Sequence, residues 1–281
     1  MEETVAALAV APHSICNVGL WQREEFQQRA ECVAEEVPVA LVYNGISHAV
    51  MLATPQDLED FAAGFSLSEG IVGARSEIFD IEVHEHADGI ELEMRVAASC
   101  EAGLRARRRS LAGRTGCGLC GVESLEQAKC RALPVTAATA VLAPAALTQA
   151  AAGLARQQRL HGLTGAMHAA AWCRWDGEVI CVREDVGRHN ALDKLIGALA
   201  AAREAMDGGF VLISSRASYE IACKAAAVGI PLVAAISAPT GMAIRIAEAA
   251  GITLVGFLRN QRFNVYAHPE RMQGADQRIG A

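Results

Sequence analysis

From Ala145 to about Leu258, short apolar runs alternate with helical segments. The apolar runs contain few polar residues, which is typical of strands buried on both faces of a largely parallel sheet. This alternation predicts an α/β domain. The predicted strands are residues 167–174, 178–183, 210–213, 232–236 and 252–258, and the predicted helices are residues 145–160, 189–202, 217–228 and 241–250.

The first part of the chain has a different pattern, in which two hairpins flank one helix. Asn44-Gly45 and Asp88-Gly89 are favoured turns between alternating strands. Thr54 is the expected N-cap of a helix that runs to about Gly70. We therefore predict a smaller α+β domain over residues 1–134 and an α/β domain over residues 135–281. Residues 1–30 carry no clear signal.

Composition excludes several classes of protein. The net charge of −7 argues against a general nucleic-acid binder, so local arginine clusters are expected to serve a specific anion. The nine cysteines are odd in number, and Met1-Glu2-Glu3 begins no basic secretory segment, which together predict a reduced, cytoplasmic protein. Prolines interrupt the uncharged stretches 132–155 and 225–244, so neither is expected to span a membrane.

Sulfur chemistry is predicted for the loop that contains Cys117 and Cys120. Glycines at positions 116, 118 and 121 leave the two sulfurs unshielded, and a helix expected to follow would stabilise a thiolate. Two alternatives stay open: a thiol–disulfide oxidoreductase, or structural zinc completed by Cys100 and Cys130 in a nucleotide-binding module. His84 and His86 are more typical of a solvated strand face than of metal ligands, and no tightly held metal is expected.

Polar side chains follow several of the predicted strands, where open α/β sheets bind ligands. Arginines and hydroxyls at helix N-termini suit phosphate or pyrophosphate, and Arg216, Arg259 and Arg262 are expected to follow separate strands and hold phosphates. Helix capping is the alternative. Asp185, Arg188 and His189 are candidate acid–base groups, although Asp and Arg at a helix start are also ordinary caps. The candidate residues are His189, Ser214, Arg216, Ser237, Thr240, Arg259, Asn260, Gln261 and Arg262.

Taken together, these motifs resemble the FdhD family of formate dehydrogenase accessory sulfurtransferases. The similarity covers nearly the whole chain from about residue 35. It includes the cysteine loop, the strand-end segments and several glycines and prolines. The matching stretches are residues 44–45, 54–55, 64–70, 117–121, 164–168, 184–194, 218–220, 237–240 and 255–257.

The resemblance implies a carrier that takes persulfide sulfur from a cysteine desulfurase and delivers it to formate dehydrogenase. The acceptor would be the molybdenum bis(molybdopterin guanine dinucleotide) cofactor of that enzyme, bound as substrate. Cys117 would carry the persulfide with Cys120 as a helper, and the segment Phe257, Leu258, Arg259, Asn260, Gln261 and Arg262 would contact the cofactor. A guanine nucleotide is an expected ligand, and a homodimer the expected assembly.

The same resemblance implies a C-terminal domain similar to the cytidine deaminase fold, with three α/β layers. Deaminase activity is not expected, because His84-Glu85-His86 does not fit the zinc motif and no proline precedes Cys117. Ser215 stands where the family pattern has glycine, and its side chain is expected to limit how closely a phosphate approaches the backbone. Asn260-Gln261 replaces the Pro-Gly of some members.

Overall fold

The structure is a computed structural model that describes residues 10–100, 104, 135 and 141–274. A long two-stranded hairpin comes first, formed by β1 (His13–Gln22) and β2 (Glu25–Ala34). Its turn residues Arg23 and Glu24 both have positive φ angles, 52° and 67°. Neither residue type favours that conformation, so this hairpin has no turn signal that sequence patterns could detect.

The two predicted hairpins of the N-terminal unit are confirmed. They are formed by β3 (Val37–Tyr43) with β4 (Ile46–Ala53) and by β5 (Ile78–His86) with β6 (Gly89–Val96). A parallel pairing of β3 with β6 joins them into one four-stranded sheet in the order β4-β3-β6-β5. Helix α1 (Leu58–Ser68) supplies Leu58, Phe61 and Phe65 to the core on one face of this sheet.

The predicted start of α1 is wrong by three residues. The helix begins at Leu58, with Asp57 as its N-cap in the left-handed conformation (φ 53°), and not at Thr54. Thr54 is instead fully buried: its amide donates to Asp185 Oδ2 at 2.9 Å and its carbonyl accepts from Lys194 Nζ at 2.9 Å. Long-range hydrogen bonds therefore override the local capping pattern.

The C-terminal unit has one six-stranded sheet. Its strands are β7 (His168–Arg174), β8 (Val179–Asp185), β9 (Gly209–Ile213), β10 (Leu232–Ala235), β11 (Thr253–Arg259) and β12 (Arg262–Ala267). They lie in the order β12-β11-β10-β9-β7-β8, and β12 was not predicted. Only the β9–β10 and β10–β11 pairs are parallel, so the prediction of a largely parallel sheet is wrong and the sheet is mixed.

Helices cover both faces of this sheet, which confirms the three-layer α/β arrangement beside a smaller α+β unit. Helix α2 (Pro144–Gln157) packs on one face, with the short helix α3 (Arg159–Thr164) after it. The other face carries α4 (Arg188–Ala201), α5 (Tyr219–Ala227) and α6 (Gly241–Ala250). Within the described ranges, no helix is long and apolar enough to cross a membrane.

The two units meet where α1 packs directly on α4. A Cβ on Gly64 would lie 1.7 Å from the Asp193 carbonyl oxygen, and a Cβ on Gly197 would lie 1.9 Å from the Asp60 carbonyl oxygen. Because both contacts are with backbone, only glycine permits this approach. The proposed boundary at residue 134/135 falls where Val135 alone is described, and it stays a prediction.

Candidate functional site

One edge of the six-stranded sheet collects the predicted ligand-binding segments. The Ser214 amide donates to the Ala169 carbonyl at 3.0 Å, and the Ala169 amide donates to Ser214 Oγ at 2.8 Å. The Phe257 amide donates to the Ser237 carbonyl at 3.0 Å. These bonds place the ends of β9, β10 and β11 beside the start of β7. We refer to this region, from Asp185 across to Arg262, as the strand-end edge.

Three helices begin at the strand-end edge, and their N-terminal amides favour anions. Helix α4 follows β8, α5 follows β9 and α6 follows β10. Thr240 caps α6, since its side chain accepts a hydrogen bond from the Ala243 amide at 3.3 Å. Thr240 is therefore a helix N-cap, which was the alternative to ligand binding for this residue. Its own amide donates to the Ala217 carbonyl at 3.0 Å, which ties the β10 loop to the β9 loop.

The three arginines lie at this edge, but the prediction that they follow separate strands is wrong. Arg216 follows β9 and is exposed, whereas Arg259 ends β11 and Arg262 begins β12. Asn260 and Gln261 form the tight turn between them, with φ angles of 52° and 58°. Arg259 and Arg262 are therefore direct cross-strand partners. Two like charges facing each other are unfavourable, and a bound anion would relieve their repulsion.

Phe257 and Leu258 have different surroundings in the same segment. Leu258 is 1% exposed, and its side chain packs in the hydrophobic core. Phe257 is half-buried with a positive φ of 55°, and its ring centroid lies 5.8 Å from the Arg259 guanidinium. This cation–π contact orients Arg259 over the edge.

His189 lies in the first turn of α4 and bonds to a residue that sequence reasoning missed. Its Nε2 is 3.0 Å from Glu220 Oε2, in the first turn of α5, and 3.4 Å from Ser218 Oγ. Ser218 Oγ also donates to Glu220 Oε2 at 3.0 Å. Burial opposes ionisation of Glu220, but the hydrogen bonds from His189 and Ser218 outweigh it and lower its pKa to about 2. Glu220 is therefore a carboxylate at neutral pH.

Asp185 is fully buried, and its carboxylate accepts hydrogen bonds from both units. Its Oδ1 accepts from the Gly187 amide at 2.7 Å and from Asn190 Nδ2 at 3.0 Å. Its Oδ2 accepts from Lys194 Nζ at 2.7 Å as well as from the Thr54 amide. These four bonds occupy the carboxylate, so of the two roles considered for Asp185 the structural one fits its contacts.

The positive groups behind the edge perturb His168, the first residue of β7. Burial lowers the pKa of His168, and the nearby charges of Arg188, His161 and His189 lower it further. Arg188 Nε is buried without a hydrogen-bond partner among the described residues. The region beside α4 is thus rich in cationic or potentially cationic side chains.

Ser215 replaces the glycine of the family pattern, and its side chain was expected to limit the approach of a phosphate. In the structure this side chain does not project into the strand-end edge. It is 5% exposed, and its hydroxyl donates to the carbonyl of Arg216 at 3.1 Å. Its φ is not in the left-handed region. The loop therefore accommodates a side chain at this position without backbone strain.

Cys117, Cys120 and Cys130 lie outside the described residues, so the sulfur-site prediction and the zinc alternative remain predictions. Within the described part, no group of three metal-binding side chains converges. His84 confirms the interpretation of a solvated face: its side chain is 42% exposed, with Nε2 at 3.4 Å from Glu82 and 3.8 Å from Glu93.

Comparison with known proteins places this arrangement in a family. A sequence profile of the FdhD/NarQ family matches residues 34–273. The chain belongs to the FdhD/NarQ family. The match covers both units and all of the strand-end edge, and it confirms the resemblance found from the motifs.

Relatives and a solved structure agree with this assignment. Sulfur carrier protein FdhD of Cupriavidus necator is 56% identical over 93% of this chain and 90% of its own length. The protein of the same name from Variovorax paradoxus is 52% identical over 91% of each chain. A crystal structure from Desulfotalea psychrophila, described as a formate dehydrogenase accessory protein, has a TM-score of 0.71 at 23% identity, covering 92% of this chain and 99% of its own. That last likeness shows a shared fold.

Sequence reasoning missed Glu220, Ser218 and Thr54 as members of these networks. The stretches 54–55 and 218–220 match the family, but local patterns gave Thr54 only the role of a helix cap and gave Ser218 and Glu220 none. Glu220 is a normal acidic residue for the first turn of a helix, and its partner is 31 positions away in sequence. Such partners become visible only once two helix N-termini are placed side by side.

Proposed function

We propose that this member of the FdhD/NarQ family is a cytoplasmic sulfur carrier that matures formate dehydrogenase. Cys117 accepts sulfur from a cysteine desulfurase, and the strand-end edge binds the guanine dinucleotide arms of the molybdenum cofactor that receives it. The protein itself holds no metal, and it works as a homodimer. The observation that carries the proposal is the 56% identity to a protein named sulfur carrier protein FdhD, over 93% of the chain.

Sulfur transfer to Cys117 needs no external oxidant. The Cys117 thiolate attacks the terminal sulfur of the desulfurase persulfide, the sulfur–sulfur bond of the donor breaks, and the donor cysteine leaves as a thiolate. Cys120 can then attack the inner sulfur of the Cys117 persulfide and release hydrosulfide to the cofactor. That step forms a Cys117–Cys120 disulfide, which a cellular thiol must reduce before the next cycle.

The strand-end edge supports the second half of the proposal through its chemistry. It combines three helix N-termini, one exposed arginine after β9 and two facing arginines at the β11–β12 turn. Arginine forms paired hydrogen bonds to phosphate, and helix N-termini stabilise the same anion. A dinucleotide carries several phosphates, so it fits an edge with several separate anion-binding groups.

The test is mass measurement after incubation with a cysteine desulfurase and cysteine. We expect the parent protein to gain about 32 Da, one sulfur atom, as a persulfide. Cys117→Ala should lose this adduct, and Cys16→Ala should keep it, because Cys16 is an exposed free thiol on the β1–β2 hairpin and does not belong to the cysteine loop.

Three outcomes would contradict parts of the proposal. If Cys117→Ala keeps the adduct while Cys120→Ala loses it, the roles of the two cysteines are exchanged. If the parent gains no sulfur, loses about 2 Da on oxidation and exchanges disulfides with a test substrate, the protein is a thiol–disulfide oxidoreductase. Stoichiometric zinc in metal analysis would instead favour the structural-zinc alternative.

A further inference from the structure

The contact between His189 and Glu220 joins two helix N-termini at the strand-end edge. The side chains are 15% and 17% exposed, so both are largely shielded but within reach of a ligand. Each residue is the second of its helix, α4 for His189 and α5 for Glu220. The pair therefore sits where the amides of both helices favour an anion.

The carboxylate determines which ring nitrogen of His189 carries hydrogen. An ionised carboxylate only accepts hydrogen bonds, so the Nε2 atom at 3.0 Å must be the donor. Ser218 supports this assignment, since its hydroxyl donates to the same Glu220 Oε2 atom at 3.0 Å. Among the described residues none hydrogen-bonds Nδ1, so Nδ1 is the ring nitrogen left for a ligand.

We propose that Glu220 is a positioning residue for nucleotide binding, which holds His189 by Nε2 and thereby presents Nδ1 to a phosphate of the ligand. This inference rests on the proposed function of the strand-end edge. The protonated imidazole donates a hydrogen bond from Nδ1, whereas the neutral ring offers only a lone pair there. Phosphate binding through His189 therefore requires the ring that carries hydrogen on both nitrogens.

Other charges surround the imidazole and must be considered with it. Arg188 precedes it on α4, His161 lies on α3 and His168 begins β7, and all act on the same region. Glu220 faces His189 from α5, and Asp185 lies at the end of β8. Asp185 is paired with Lys194 at 2.7 Å, so the Glu220 carboxylate is the group that bonds directly to the ring and balances its charge.

The first measurement is the tautomer of His189, read from its ring nitrogen shifts by NMR. The signals are assigned by their loss in His189→Gln. We expect the parent to carry hydrogen on Nε2 when neutral and Glu220→Gln to show a mixture of tautomers, because an amide can donate as well as accept. An unchanged tautomer in Glu220→Gln overturns the positioning role. A purely structural effect on packing would not move this signal.

The second measurement is GDP affinity by calorimetry at about pH 5.5 and about pH 8, on either side of the range where histidines usually titrate. At the lower pH we expect Glu220→Gln to bind roughly tenfold more weakly than the parent, the loss typical of one charge-assisted contact. His189→Gln should lose the pH dependence, and adding Glu220→Gln to it should cost nothing further. The matched control is Glu248→Gln, an exposed glutamate near the C-terminal end of α6, whose N-terminus is the end at the edge.

The outcomes separate this inference from the proposal it rests on. If the parent binds no GDP at either pH, the nucleotide assignment of the edge is wrong. If the parent binds GDP and Glu220→Gln binds it equally well at both pH values, only the role of Glu220 is wrong. An equal loss in Glu248→Gln would show that the effect comes from total charge rather than from the contact with His189.

Discussion

Lys224 is the residue whose replacement should most directly test how the two units are held together. Its ammonium group on α5 lies 3.0 Å from Asp193 Oδ2 on α4 and 2.7 Å from Glu69 Oε1, just after α1. It also donates to Ser68 Oγ at 3.0 Å. The side chains of Lys224 and Asp193 are 7% and 2% exposed, so both charges are buried.

We expect Lys224→Met to destabilise the protein by about 3–5 kcal/mol, because it leaves the Asp193 charge buried without its cation. Ser68 Oγ, which donates to Asp193 at 2.6 Å, compensates only part of that cost. In a chain of this size the change corresponds to a fall in melting temperature of roughly 10 °C. Urea unfolding followed by circular dichroism measures the free energy of unfolding directly.

The pH dependence of the variant has a defined sign. Burial raises the pKa of Asp193 above its usual value of 3.8, while Lys224 and Ser68 lower it. Without Lys224 the folded state binds a proton on Asp193 more readily than the unfolded state does. Stability then falls as the pH rises through the window between 3.8 and the folded pKa, so Lys224→Met should lose less stability at acidic pH than at neutral pH.

Two controls make the result interpretable. Lys224→Met combined with Asp193→Asn removes both charges and should recover most of the loss, since an uncompensated buried charge is the cause. Arg174→Met breaks an exposed pair with Glu178, 60% and 58% exposed, and should cost at most about 1 kcal/mol. If Lys224→Met costs no more than Arg174→Met, the buried pair does not hold the units together.

Three further predictions follow from local geometry. Gly64→Ala should destabilise the protein by about 1–3 kcal/mol in urea unfolding, because its Cβ would strike the Asp193 carbonyl. Gly162→Ala should not, because a Cβ at that position meets nothing within 4 Å. Equal effects of the two changes would contradict the close packing of α1 on α4. Arg262→Ala should weaken GDP binding roughly ten- to a hundredfold in calorimetry at fixed salt, and unchanged affinity would remove it from the site. Burial raises the pKa of the Cys173 thiol to about 12. An alkylating agent near pH 8 should therefore label the exposed Cys16 and spare Cys173 in the native protein, which mass spectrometry would show. Rapid labelling of Cys173 would contradict its burial.

Local sequence patterns were sufficient for most of the helices and strands. Asn44-Gly45 set the first predicted hairpin, and the apolar runs located the central strands of the larger sheet to within a residue or two. These patterns work because turn residues and buried strands are determined by neighbours close in sequence. The family resemblance could also be read from the motifs alone.

Sequence patterns failed where the controlling contacts are distant. The Thr54 cap was wrong because Asp185 and Lys194, more than a hundred positions away, bind its backbone. The prediction of a largely parallel sheet was wrong because a buried strand has the same apolar pattern in either orientation, and β7 pairs antiparallel with β9. Turns made by residues such as Arg23 and Gln261 gave no signal.

Part of the candidate site could likewise be predicted from the sequence, and part of it could not. The sequence by itself determined that polar residues follow the strands and that His189, Arg216 and Arg262 belong to those segments. Only the tertiary structure decided that Arg259 and Arg262 face each other across one turn and that Glu220 bonds to His189. The physical reason is that charges and hydrogen bonds act over a few ångströms in space, and only the packing of α4 against α5 brings residues 189 and 220 within that range.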